Sequence, residues 1–281
     1  MSTELKILLP CGLVEEDGTI NRECVITEMT GKTQALMGRR DLQKQPDRLL
    51  RQILQNCLVS FAGRDVISDA ILTDMFIGDR DFILFEVRRL SLGNDFDVRA
   101  KCSSCEEAIS EGLNLADVEV FDLPVPDDPG SGVTMKPVSL EEGADPKLTR
   151  VWTVKSPDGR YTVRGRYPTV GDLEAADDKN QVTAVYKILN KTLFSIEEDG
   201  EKHESPLGMQ FFESAPMVLV NYLSSLLVTN NGGPEVIRQL TCGSCDQENT
   251  VRVESANFFV SKAPDHGKAS TLIRRSGSSA R

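Results

Sequence analysis

Four of the seven cysteines in this 281-residue chain fall in two copies of Cys-x-x-Cys, Cys102 and Cys105 in AKCSSCEEAISEGL and Cys242 and Cys245 in LTCGSCDQENTVRV. A Cys-x-x-Cys turn between two strands directs both sulfurs to one side, as half of a tetrahedron, and two such turns complete a four-thiolate zinc site. Ser103, Ser104, Gly243 and Ser244 inside the turns are small, as a tight knuckle requires. The spacing is unusual: 136 residues separate Cys105 from Cys242, whereas a self-contained zinc ribbon has about 15–20 between its pairs. A single structural Zn2+ held by Cys102, Cys105, Cys242 and Cys245 would therefore tie together distant parts of the chain. Two other readings stay open, thiol redox chemistry and a metal-free remnant. A redox Cys-x-x-Cys sits at a helix N-terminus, but here FDVRAKC and EVIRQLTC read as strands.

The remaining chemistry is sparse. Cys57 lies on an apolar helix stripe and Cys24 on an expected strand, both reading as buried small hydrophobes, while Cys11 after Pro10 reads as an exposed loop residue. The only histidines, His203 and His266, lie in polar surroundings and are expected to be solvated. No Gly-rich phosphate loop with its lysine occurs, and no nucleophile elbow. Acid pairs such as Asp127–Asp128, Asp177–Asp178 and Glu197–Glu198 read as solvated turns or helix starts. Neither a catalytic site nor a small-molecule substrate is expected.

The elements that position the thiols are written twice. The differences 242 − 102 and 245 − 105 both give 140, and the same lag relates Gly31 to Gly171, Ala35 to Ala175, Ile83 to Leu223 and Gly93 to Gly233. Each half opens with a hairpin around Asp-Gly, at 13–29 and 151–167, where the pair supplies the turn. Each continues through helices to a glycine, then strand, Cys-x-x-Cys and strand. In DRLLRQILQNCLVSF, apolar residues recur every three or four positions, giving one helix face. In GDRDFILFEVRRLSLG, Asp79 is expected to cap the helix start and Gly93 its end. The second half should hold helices over about 181–194, with Val182, Val185, Ile188 and Leu189 inward, and over 212–229 with Pro216 in its first turn. The expected fold class is α+β: two duplicated halves, each a β-hairpin, helices and a Cys-x-x-Cys zinc-knuckle hairpin, joined by the shared site. The boundaries are residues 1–116, a Pro- and Gly-rich linker at 117–150, residues 151–260, and a flexible basic tail at 261–281.

Bulk composition limits the partners. With 32 Lys and Arg against 43 Asp and Glu, the net charge is −11, which repels the phosphate backbone that drives nucleic-acid binding. Charges beside the knuckles (Arg99, Lys101, Arg238 and Arg252 against Glu106, Glu107, Asp246 and Glu248) roughly cancel. The longest apolar run, MVLVNYLSSLLV at 217–228, is shorter than the roughly 20 residues a membrane helix needs. No signal peptide is visible, so the reading is of a soluble protein made in a reducing cytoplasm, where paired thiols favour metal over disulfide.

The run FIGDRDFILFEVRRLSLGNDFDVRAKCSSC resembles the baseplate proteins of T-even-like contractile-tailed bacteriophages. The positions that carry the resemblance are Asp79, Arg80, Arg88, Ser91, Gly93, Cys102 and Cys105, then Cys242, Cys245 and the NFF close at Asn257, Phe258 and Phe259. The opening ILLPCGLVEEDGTINRECVITEMTGKTQALM is similar to the family's opening. The resemblance implies a structural or assembly component of the virion tail baseplate, one that holds other phage baseplate or tail proteins rather than turning over a substrate. The alternative is a zinc-ribbon adaptor subunit of a cellular transcription or translation complex. One expectation concerns the tail alone: truncation after Ser261 should leave cooperative thermal unfolding unchanged, and a broadened calorimetric transition would show that the tail belongs to the fold.

Overall fold

A computed structural model describes residues 3–15, 19–123, 133–137, 150–156, 158–176, 180–229, 232–253 and 255–259. Strands β1 (Glu4–Val14), β2 (Ile20–Thr27) and β3 (Leu58–Phe61) form an antiparallel sheet in that order. Between β2 and β3 run α1 (Gly31–Met37), α2 (Arg40–Gln43) and α3 (Pro46–Cys57). The stripe expected on α3 is the face it buries, Leu49, Leu50, Ile53, Leu54 and Cys57, and Pro46 opens the helix where its missing N–H is harmless. Then come α4 (Asp69–Asp74), α5 (Ile77–Leu92) and the knuckle hairpin β4 (Asp95–Lys101) with β5 (Ala108–Asn114).

The later part of the chain runs in a similar order. Strands β8 (Arg150–Lys155) and β9 (Tyr161–Arg166) form a hairpin whose Asp-Gly turn puts Gly159 at φ 72°. Helices α6 (Val170–Ala175) and α7 (Gln181–Thr192) lead to β10 (Leu193–Glu198), which pairs with β9 as β3 pairs with β2. Helices α8 (Met209–Ser214) and α9 (Met217–Thr229) precede the second knuckle hairpin, β13 (Ile237–Thr241) with β14 (Glu248–Arg252). Two further strands, β7 (Val133–Pro137) and β11 (Glu201–Glu204), widen this sheet to the order β11-β10-β9-β8-β7. Mixed helix and strand makes the chain α+β.

The residues between the two knuckle-to-hairpin units contain more structure than their composition signals. Leu115 is buried in a 3-10 turn, β6 (Val120–Phe121) pairs with β12 (Gly233–Pro234), and β7 pairs with β8. Two-residue strands are too short for any periodicity to reveal. The rest of that interval, 124–132 and 138–149, lies outside the described residues, as do the turn at 16–18, Asp177–Asp178, His266 and the basic tail.

Packing crosses between the parts. The core around the first sheet includes Val236, Leu240, Phe258 and Phe259 from the end of the chain, and the core around the second sheet includes Cys11, Phe76 and Leu123 from its beginning. At the contact, Val170 N–H donates to the Met75 carbonyl at 2.9 Å, and Ile77 N–H to the Pro168 carbonyl at 3.4 Å. Arg51 on α3 forks onto Glu174 on α6, both nitrogens 2.8 Å from carboxylate oxygens. Within α6, burial alone would raise the Asp172 carboxyl, but the Arg166 guanidinium and the Thr169 N–H outweigh it and hold the group below the usual carboxylate range.

Several sequence expectations are corrected here. Asp79 does not cap α5; fully buried in the helix's first turn, it accepts the N–H groups of Cys11 at 2.7 Å and Gly12 at 2.8 Å. It thereby holds a bulge in β1 between Leu8 and Leu13, where Gly12 takes φ 70° and a Cβ would meet Arg22 Cγ at 2.7 Å. For the same reason Cys11 is buried rather than exposed. The expected helix over 212–229 is two helices, broken at Ala215–Pro216, because a helix disfavours the residue before proline. Val182, the second residue of α7, is 56% exposed, because the helix's first turn lies beyond the core that the later positions of the stripe reach. His203 is half-buried with its ring 5.3 Å from that of Phe211. Replacing Asp79 with Ala should orphan two buried donors at about 1–3 kcal/mol each and lower the unfolding free energy in urea by about 3 kcal/mol; an unchanged midpoint would show that the bulge does not need its clamp.

Candidate metal centre

Helix α5 aims the first knuckle. Its Arg88 donates to the Gly93 carbonyl at 2.8 Å and the Asp95 carbonyl at 3.0 Å, and its guanidinium lies over the Phe96 ring at 5.9 Å. Gly93, at φ 81°, ends the helix and starts the hairpin, as expected. Phe258, from the 3-10 turn at Ser255–Phe258, packs edge-on against Phe96 at 5.1 Å and Phe85 at 5.9 Å. The aromatic close of the second hairpin thus sits under the first one.

Both knuckles have one geometry. Cys102 N–H donates to the Glu107 carbonyl at 2.8 Å and Glu106 N–H to the Cys102 carbonyl at 3.0 Å; the matching Cys242–Gln247 and Asp246–Cys242 bonds are both 2.9 Å. Glu106 and Asp246 take φ 60° and 56° to close the turns. Cys102 and Cys242 are buried, and Cys105 and Cys245 are exposed. The structure brings all four sulfurs within 4.8 Å of one another. Across the two knuckles, Cys102 Sγ lies 3.6 Å from Cys245 Sγ and Cys105 Sγ lies 3.6 Å from Cys242 Sγ. Those separations are far beyond the roughly 2.05 Å of a disulfide, and close to the about 3.8 Å edge of a tetrahedron with sulfurs about 2.3 Å from its centre. Four soft sulfur donors, no carboxylate among them, are compatible with a thiophilic metal such as zinc.

Neighbouring groups push Cys102 and Cys105 in opposite directions. The N–H groups of Cys105 and Ser104 hold the Cys102 thiol well below the ordinary thiol value of 9.0, at about 6. For Cys105 the Glu107 N–H pulls downward, but the neighbouring thiols outweigh it and push the group up to about 12. One thiolate is thus favoured in the cluster and a second resisted, a conflict that a divalent cation removes.

Asn249 is the residue that sequence reasoning missed. Buried on β14, it accepts Ser103 N–H at 2.8 Å through Oδ1, and its Nδ2 donates to the Gln247 carbonyl at 2.9 Å and points at Cys102 Sγ at 3.8 Å. One amide therefore braces both knuckles. The available signal was a break in the repeat, because the residue 140 positions earlier is the apolar Ile109.

The chain is thus of mixed helix and strand, with two remote knuckle hairpins that converge on one thiol cluster. A family model described as T4 bacteriophage base plate protein matches residues 21–261, and the chain belongs to that family. No curated protein and no solved structure matches it. Membership supports a structural role in the phage baseplate and, with it, a place in the virion tail. Among the described residues, no helix is long and apolar enough to cross a membrane.

A depressed folded pKa means that between about pH 6 and 9 the unfolded Cys102 holds a proton the folded one has lost, so its contribution to stability grows across that interval and is lost as pH falls through 6. Above pH 9 the raised Cys105 acts in the opposite sense. In metal-free protein, ultraviolet thiolate absorbance should rise first near pH 6, and chelation of zinc should be needed to see it; a first rise only near pH 9 would contradict the cluster's electrostatics.

Proposed function

We propose that the chain is a zinc-stapled adaptor of the phage baseplate, a rigid body that binds neighbouring baseplate or tail proteins and catalyses nothing. The observation that carries this reading is the convergence of four sulfurs from hairpins more than a hundred residues apart in sequence. Cys102, Cys105, Cys242 and Cys245 would be the ligands, with Asn249 bracing the first knuckle from the second hairpin. Bound zinc would supply charge neutralisation and a fixed crosslink, nothing more. Without it the two hairpins are held by the Asn249 bonds and by Phe258; with it, separating them means breaking metal–sulfur bonds.

The adaptor reading includes duplicated halves, 1–116 and 151–260, joined by 117–150 and followed by a basic tail at 261–281. It is supported by the matching order of elements, by α4 and α8 each preceding a long helix, by the like knuckles and by paired glycines, Gly93 at φ 81° and Gly233 at φ 87°. Two related lobes give two related surfaces, which suits joining neighbouring subunits in a symmetric assembly.

Elemental analysis of protein purified without added metal should find zinc. Cys242→Ser should lose it and lower the melting temperature by about 10 °C, given several kcal/mol for the lost metal and about 2–4 °C per kcal/mol in a chain of this size. Full stability and no metal in the unaltered chain would refute the staple. Asn249→Ala should keep the metal but weaken zinc affinity by about 10–100-fold in chelator competition; equal affinity would remove Asn249 from the site.

A further inference from the structure

The contact between the lobes uses a corner and a junction, and the chain carries a second copy of each. The corner is the break between α4 and α5 at Met75–Ile77. The junction is the extended Pro168–Val170 segment between β9 and α6, joined to the corner through an antiparallel bridge of Phe76 with Thr169. In the other lobe the corresponding corner is the α8–α9 break at Ala215–Met217, and the corresponding junction is Met29–Gly31 between β2 and α1. Backbone shapes agree closely. Thr30 has φ −103°, ψ 174° and Thr169 has φ −103°, ψ 168°; Met75 has φ −60°, ψ 134° and Ala215 has φ −69°, ψ 150°.

What differs is burial. In the joined pair, Met75 and Phe76 are 1% and 7% exposed and Thr169 is 2% exposed; at the second corner Ala215 is half-buried and Pro216 exposed, and Met217 and Val218, where the first lobe has half-buried Ile77 and buried Gly78, are 74% and 75% exposed. Thr30, Gly31 and Lys32 at the second junction are exposed as well, and a Cβ on Gly31 would meet nothing within 4 Å. Among the described residues, nothing covers these two large apolar side chains at a helix start.

We propose that two copies of this chain associate head to tail, the α8–α9 corner of one receiving the Met29–Lys32 junction of the next. The inference rests on the duplicated-halves reading. The sequence at the open corner is compatible with the bond pattern of the closed one. The existing contact uses the Met75 carbonyl and the Ile77 N–H, and both groups have counterparts in the second corner, on Ala215 and Met217. With the helix caps Thr30 and Thr169 aligned, one residue off the 140-residue lag that pairs Gly31 with Gly171, the tight Gly171–Thr73 approach, where a Cβ would come within 2.4 Å of Thr73 Cγ2, becomes Lys32 opposite Glu213, an oppositely charged pair. Because corner and junction lie on different lobes, the contact is heterologous: each copy offers one of each, and association continues until a ring closes.

The test uses the full zinc-loaded chain. Its mass in sedimentation equilibrium should rise with concentration, and Met217→Glu should weaken association at least tenfold while leaving circular dichroism and zinc content unchanged. Zero-length carbodiimide coupling of an equal mixture of heavy-isotope-labelled and unlabelled chain should yield Lys32–Glu213 peptides carrying one label of each kind. A monomer at every concentration, crosslinks that avoid the pair, or self-association indifferent to Met217→Glu would each overturn the proposal. So would a monomer that captures a different baseplate chain at the same corner. Failure of the staple reading shows instead in metal content and in the Cys242→Ser melting shift, neither of which requires association.

Discussion

To bring Cys242 and Cys245 to Cys102 and Cys105, the end of the chain must return to the core where the chain began. The return is made by apolar surface as much as by sulfur. Val236, Leu240, Phe258 and Phe259 complete the core around the first sheet, and Phe258 fills the space between α5 and the first knuckle hairpin. Burial of an aromatic side chain is worth about 1.5–3 kcal/mol, so the thiols are gathered by a hydrophobic closure that does not itself depend on metal.

Helix α5 is where the constraints meet. Its Asp79 holds the β1 bulge, its Ser91 hydroxyl accepts Met29 N–H at 2.8 Å, and its Arg88 fixes the turn into the first hairpin. Three polar side chains on one helix thereby set the strand before it, the junction ahead of α1 and the knuckle after it. Arg88 shows the cost of this arrangement: burial against the Gly93 and Asp95 carbonyls lowers its guanidinium from the ordinary value. Such a group is retained for geometry rather than for stability.

Much of this was legible in the sequence where a pattern repeats or a residue type is restricted. The Cys-x-x-Cys pairs, the α3 stripe and the glycine at the end of α5 each follow from local rules, and the structure bears them out. Asp79 misled because an acid near a helix start is ordinarily a cap, and nothing local reveals that a bulge sixty-odd residues earlier needs two acceptors. Asn249 was hidden because its partners Ser103 and Cys102 lie on another hairpin. The 212–229 helix was overextended because an apolar run outweighed Pro216, whose effect falls on the residue before it. For Asp79 and Asn249 the deciding contact is distant in sequence; for the helix it is local.

The position of residues 255–259 has a bearing on synthesis. A ribosome releases the chain from its N-terminus, so the first sheet and its helices emerge long before the aromatic residues that fill their core. Until Phe258 is made, that lobe has an unfilled apolar site beneath the knuckle, and until Cys242 and Cys245 are made it has only half the thiols of the cluster. A prematurely terminated product would therefore be a poorly closed lobe, easily recognised by proteases and chaperones. Only a chain translated through Phe258 can close that core.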